Sequence, residues 1–215
     1  MRRTIPYFRG DVKLIGMLDS PYVRRVAISL KLMNIPFEHE AVSVFRHFER
    51  FQSINPLVKA PTLVCDDGTV LMDSTLILDW AGTLVSREKR LMPLEADAYR
   101  AALRNIGLGL AAMEKSVQIH YEEALRPPEK QHKPWHDRVT AQMFTAYDVL
   151  EPVVANARPW LHGGEMMQPD ITIAVAWRFT QFVLPGRVDP ARYPALDAYS
   201  KRAEARPEYL ATPLD

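Results

Sequence analysis

Thiols are nearly absent from this sequence: Cys65 is the one cysteine in 215 residues. No intrachain disulfide and no thiolate-rich metal cluster can form from it. Lying in an apolar run after Val64, it reads as a structural residue rather than a reactive one. Long apolar stretches are missing too, none approaching the ~20 residues that cross a bilayer. The basic start, Met1-Arg2-Arg3, is followed by no signal-type apolar segment before Asp11, so a cytoplasmic protein without a membrane role is expected. Nor does one sign of charge dominate: 27 Lys and Arg stand against 26 Asp and Glu, interspersed, for a net charge of +1. Such a balance offers no electrostatic footprint for nucleic acid. What remains, 47% hydrophobic and 25% charged residues, is ordinary globular composition and excludes a disordered chain.

From Val12 to about Val85 the pattern runs strand, helix, strand, helix, strand, strand, helix. Val12 to Leu18 is an apolar strand, and Val23 to Met33 has helical character. Ile35 to Val42 is a second strand with a proline at its entry. Phe45, Phe48 and Phe51 form an i, i+3, i+6 stripe, expected in the core. Thr62 to Cys65 and Val70 to Met72 are strands joined by a turn at Asp66-Asp67-Gly68. Asp73-Ser74 then opens a helix with Leu76, Ile77, Trp80 and Ala81. A βαβ unit followed by a hairpin and helix gives a mixed sheet with helices on both faces.

Residues 1–11, with Pro6 and Gly10, read as a loose lead-in, and Gly82 to Asp97 as a charged linker. Beyond it every element reads helical: Ala98 to Leu125, stopped by Pro127-Pro128, then Trp135 to Ala155, Ile171 to Val183 and Leu196 to Ala205. The third of these is apolar almost all round and is expected to be the buried central helix. Domains are expected at 12–85 and 97–215.

Two junctions carry chemistry. Ser20-Pro21 stands where a strand gives way to a helix, which makes Ser20 an N-cap, an anion-facing hydroxyl, or both. Asp73-Ser74 has the same duality. His132 and His136 have metal-ligand spacing, but Pro134 intervenes and no acidic partner motif follows, so no metal site is expected.

Read together, Ser20-Pro21-Tyr22 with Arg24-Arg25, Asn55-Pro56 through Lys59-Ala60-Pro61, and Asp67-Gly68 through Asp73-Ser74 resemble the glutathione transferase family. The Trp160-Leu161-His162-Gly163 turn, Pro169-Asp170-Ile171-Thr172 and Tyr193-Pro194-Ala195-Leu196 agree with it. The resemblance covers nearly the whole chain, and no single fragment carries it. It implies an α/β N-terminal thioredoxin-like domain followed by an all-α C-terminal domain, in a cytosolic, bacterial-type member with serine at the thiol-activating position. The implied co-substrate is glutathione, with no metal expected. The implied activity is attack of the glutathione thiolate on a small hydrophobic electrophile, as in detoxification. A non-catalytic glutathione carrier, a glutathione-dependent isomerase and a glutathione-dependent disulfide reductase are the alternatives on this fold.

The resemblance also implies roles residue by residue. Ser20 activates the thiol, with Tyr22 beside it. Ala60, before an expected cis Pro61, pairs its backbone with the glutathione cysteine; Asp73 and Ser74 take the γ-glutamyl ammonium and carboxylate. Arg46, His47 or Lys59 holds the glycyl carboxylate. Tyr22, Ile106, Leu110, Met113 and Val117, with Tyr121, line an apolar second-substrate pocket between the domains. A homodimer is implied, using Thr75, Leu78 and Asp79 with Arg100, Ala101 and Arg104. Where relatives carry a Ser/Thr-x-x-Asp box before the buried helix, this chain has Met167, and the cap is expected to be lost unless Asp170 supplies it.

Overall fold

The computed structural model describes residues 12–214, and the lead-in read over residues 1–11 lies outside them. The chain divides into two compact units, the first ending at Arg90 and the second spanning Leu91–Pro213.

The first unit runs β1 (Val12–Ile15), α1 (Pro21–Leu32), β2 (Phe37–Glu40), α2 (Phe48–Ile54), β3 (Thr62–Val64), β4 (Val70–Met72) and α3 (Ser74–Thr83). Its four strands lie in the order β2-β1-β3-β4. β1 and β2 are parallel, as a crossover through α1 requires, while β3 and β4 form an antiparallel hairpin beside β1. β1 is shorter than its apolar run because Gly16 adopts φ +137° and turns the chain out of the strand. Successive β1 side chains point to opposite faces. Ile15 packs with Val42 and with Phe51 of α2, so Leu14 serves the other face.

Two expectations fail here. Of the phenylalanine stripe only Phe51 is buried; Phe45 and Phe48 are about half exposed, because α2 starts at Phe48 and Phe45 lies in the preceding turn. Leu78, expected on an exposed face of α3, is buried with Ile77 and Ala81. Cys65 is also buried, and burial pushes its thiol above the ordinary range, helped by Asp67 and Asp66.

The second unit contains α4 (Ala96–Ala124), α5 (Lys133–Ala155), α6 (Gln168–Val183), α7 (Pro194–Glu204) and the short α8 (Pro207–Leu210). α6 is central, packed against α4 and α7, and is buried along nearly its whole length. α4 approaches it closely at Gly109, where a Cβ would stand 2.9 Å from Thr172 Cγ2. Buried hydroxyls join three helices: Thr180 Oγ1 lies 2.6 Å from both Ser116 Oγ and Tyr147 Oη. Tyr147 also donates to the Ala176 carbonyl.

The start of α6 resolves the question of its cap. Met167 sits at the N-cap position without a side-chain cap bond, and Asp170 reaches back instead. Asp170 Oδ2 accepts the Met167 N–H at 2.7 Å, while Oδ1 accepts the Leu161 N–H at 2.8 Å and the Tyr199 hydroxyl. Burial pushes the Asp170 carboxyl up, against the pull of these donors. Asp170→Ala removes one acceptor and strands three donors, so it is expected to lower stability by roughly 3–5 kcal/mol. A urea unfolding curve with a midpoint close to wild type would contradict that.

Candidate functional site

The β1–α1 loop, the β3 entrance and the start of α3 all lie in the first unit. Ser20 is the N-cap of α1 in extended conformation, with Pro21 at the first helical position. Pro has no N–H to leave unpaired there. The Val23 N–H reaches Ser20 Oγ only at 3.5 Å, the outer limit of a hydrogen bond, so the cap is weak and the hydroxyl hydrogen stays available. α1 has no acidic residue in its first turn, which leaves the positive end of its dipole uncompensated by its own side chains.

Sheet register brings this loop to the β3 entrance. Ile15 pairs with Thr62, so Gly16 lies beside Ala60-Pro61, whose peptide bond is cis. A Cβ on Gly16 would meet Val23 Cγ2 at 2.6 Å and Ala60 Cβ at 3.2 Å. His39 Nε2 lies 2.8 Å from the Gly16 carbonyl and holds the same turn from β2. Asn55 ties the preceding loop to β3 by donating to Thr62 Oγ1 at 2.8 Å.

Asp73 is the N-cap of α3. Its Oδ1 accepts the N–H groups of Thr75 and Leu76, at 2.9 and 3.4 Å. Its backbone stands at φ +70°, ψ +121°, where a non-glycine residue is strained by about 1–3 kcal/mol. Ser74 is buried, and its Oγ accepts from Arg25 Nη1 at 2.8 Å; the same nitrogen donates to Thr75 Oγ1 at 3.2 Å. Since Ser74 Oγ is already an acceptor, its own hydrogen points elsewhere. Arg25 is 1% exposed, and burial pulls its guanidinium down to about 10, with the Asp73 charge acting against that. Sequence reading placed Arg25 only within a family fragment. The available signal was its position five residues after Ser20, but the partner lies 49 residues further on.

Among the basic candidates, His47 already uses Nδ1 to accept the Ser43 N–H at 3.2 Å. Arg46 is exposed and extends to the β1–α1 loop, with Nη2 4.0 Å from Met17 Sδ. Lys59 is exposed directly before Ala60. Tyr22 is half-buried in the first turn of α1. The remaining named residues belong to α4 in the second unit: Leu110 and Val117 are half-buried, Ile106 is buried, and Met113 has no exposed surface. A wall of an open pocket needs surface, so Met113 is core. His136 pairs with Glu123, 2.7 Å away, and His132 stands at the N-cap position of α5 without a side-chain capping bond.

Two family models match the chain: the glutathione S-transferase N-terminal domain over residues 14–89 and the glutathione S-transferase C-terminal domain over residues 133–202. Glutathione S-transferase U4 of Arabidopsis thaliana is 27% identical over 127 residues, covering 53% of this chain and 55%, about half, of that protein. Probable glutathione S-transferase GSTU6 of Oryza sativa subsp. japonica is 25% identical over 208 residues, 91% of this chain and 85% of that one. Among solved structures, a glutathione transferase family member from Pseudomonas fluorescens Pf-5, with bound S-(propanoic acid)-glutathione, is 29% identical. It superposes with a TM-score of 0.81 over 94% of this chain and 98% of that one.

Gly16 is where the geometry leaves least room. Gly16→Ala is expected to cost roughly 2–4 kcal/mol, from the positive φ and from overpacking against Val23. The midpoint of denaturant unfolding measures it, and a shift within error of zero would show that the turn relaxes.

Proposed function

The chain belongs to the glutathione S-transferase family, and we propose that its first unit binds glutathione and activates the thiol for attack on a small hydrophobic electrophile. One observation carries the reading: the weakly committed Ser20 hydroxyl at the α1 N-terminus, in the loop whose Gly16 packs against Ala60, with Asp73 and Ser74 at a second helix N-terminus.

Glutathione's thiol has an ordinary pKa near 8.5, so only a few per cent is thiolate at neutral pH. A hydroxyl donating to sulfur stabilises the anion, and each unit of depression corresponds to about 1.4 kcal/mol, within the range of one charge-assisted bond. Ser20 Oγ has that donor available, and the α1 dipole adds to it. Ala60, ahead of β3, offers backbone groups to the cysteinyl part of the tripeptide as an added strand would.

The γ-glutamyl end brings an ammonium and a carboxylate. Asp73 uses Oδ1 for capping, which leaves Oδ2 for the ammonium. Ser74, fixed as an acceptor from Arg25, has its O–H and its own backbone N–H for the carboxylate, the Thr75 and Leu76 N–H groups being taken by Asp73. Lys59 and Arg46 are the better partners for the glycyl carboxylate, since His47 already spends one ring nitrogen on the backbone. The relative from Pseudomonas fluorescens carries a glutathione adduct, S-(propanoic acid)-glutathione, which supports the same ligand here.

Ser20→Ala is expected to lower the conjugation rate by about one to three orders of magnitude, the range for one lost anion-stabilising donor, with glutathione affinity changed far less. Turnover at the wild-type rate would transfer the role to Tyr22 or a backbone N–H. Asp73→Ala is expected to weaken glutathione binding by about 2–3 kcal/mol in titration calorimetry. Wild-type affinity would reduce Asp73 to a cap. Binding without turnover against an aryl halide, in the unaltered protein, would instead make the chain a glutathione carrier.

A homodimer is part of the proposal. Leu76 on α3 is 65% exposed, and Tyr99 and Leu103 on one face of α4 are 42% and 49% exposed, apolar surface of the kind that self-association covers. Light scattering at micromolar concentration is expected to give twice the 24.6 kDa chain mass. The chain mass itself, persisting as concentration rises, would rule the dimer out.

A further inference from the structure

Glycine fixes no direction for the chain that passes through it, so the turn that delivers Ser20 needs anchors from outside. β1 ends at Ile15, and with φ at +137° the Gly16 carbonyl turns out of the ladder. Gly16 is buried, where both of its backbone polar groups require partners. β2 supplies them. The Gly16 N–H donates to the Glu40 carbonyl at 3.0 Å, and the Gly16 carbonyl lies 2.8 Å from His39 Nε2. A carbonyl can only accept, so the imidazole carries a hydrogen on Nε2 and donates it, whether the ring is neutral or charged.

Alternation along β2 makes His39 the residue for this task. Glu38 and Glu40 share one face of the strand, where Glu38 pairs with Lys13, 3.2 Å away, and Glu40 with Arg50, 2.9 Å away. His39 lies on the other face, opposite Leu14 in register, and is half-buried. From there its imidazole reaches along β1 to the Gly16 carbonyl.

The path from that carbonyl to the Ser20 hydroxyl is short. The Ser20 N–H donates to the Met17 carbonyl at 3.2 Å and closes the turn over 17–20, and Pro21 then fixes the first residue of α1. The contact between Ser20 Oγ and the Val23 N–H, at 3.5 Å, is too long to hold the hydroxyl in place. The backbone of the turn therefore sets where Oγ stands. Of the two anchors on Gly16, the Glu40 carbonyl is backbone and survives any substitution; the His39 donor does not.

We propose that His39 is a positioning residue for thiol activation: its Nε2–H holds the Gly16 carbonyl and, through the 17–20 turn, sets where the Ser20 hydroxyl stands. The proposal rests on the reading of Ser20 as the donor to the glutathione thiolate. A misplacement of about 1 Å is enough to lose such a bond.

The test compares His39→Leu, which removes the donor, with His39→Gln, whose amide nitrogen restores one at the reach of Nε2. Conjugation of an aryl halide is followed across pH, and binding is measured by calorimetry with S-methylglutathione, which has no thiol to ionise. His39→Leu is expected to move the rising limb of the rate profile up by about one pH unit. That is a loss of about tenfold on the limb, vanishing at the alkaline plateau where the thiolate forms unaided. Affinity for S-methylglutathione should stay within about threefold of wild type, and His39→Gln should return the limb most of the way. In a Ser20→Ala background His39→Leu should move nothing further, because it acts through that hydroxyl. If His39→Leu does not fold, His39→Asn, whose amide falls one carbon short, takes its place and is read in the same way. A wild-type profile in His39→Leu with Ser20→Ala impaired overturns this proposal alone; a wild-type profile in Ser20→Ala overturns the thiol-activation reading and the proposal with it. A loss equal at every pH, a matching loss of S-methylglutathione affinity, no rescue by His39→Gln, or a further shift in the absence of Ser20 would each overturn it as well.

Discussion

A guanidinium that water does not reach organises the first unit. A buried charge is tolerated only where acceptors surround it, and Arg25 finds two of its acceptors on the first two residues of α3. The first turn of α3 therefore cannot shift without stripping a partner from a cation inside α1. Burial has already pulled that guanidinium down to about 10, a measure of how poorly the site solvates charge. Ser74 gains more than a fixed position from this. Its oxygen is committed as an acceptor, so its hydrogen points away from Arg25.

Around that tie, backbone strain gathers where ligand groups are proposed to bind. Asp73 and Gly16 both hold positive φ; Asp73 is pinned by the first N–H groups of α3, and Gly16 by contacts from β2, α1 and the β3 entrance. Strained conformations persist only where the surroundings over-determine them. Gly16 is pressed between Val23 of α1 and Ala60 at the β3 entrance, which brings Ser20 and Ala60 to one end of the sheet. The second unit is ordered differently, by buried acceptors and hydroxyls. Asp170 gathers three donors at the start of α6, and Thr180 joins Ser116 and Tyr147 across the packed helices. Such networks rigidify a core when every member is satisfied.

The sequence by itself determined the element order and the two helix starts that frame the candidate site. Hydrophobic period, a proline after Ser20 and the Asp67-Gly68 turn are local signals, and they act within a few residues. The buried length of α6 was legible for the same reason, since an all-round apolar helix has nowhere else to go. Tertiary structure decided what covers each apolar face and which acceptor each buried donor finds. Periodicity put Phe45 and Phe48 with Phe51, and the family resemblance put Leu78 and Met113 on working surfaces. The fold buries only Phe51 of the three and places Leu78 and Met113 in cores. Arg25 and Ser74 are 49 residues apart, and Asp170 and Tyr199 are 29 apart. No spacing in a single sequence encodes such pairings, because they exist only once the sheet register and the helix packing have brought the partners together.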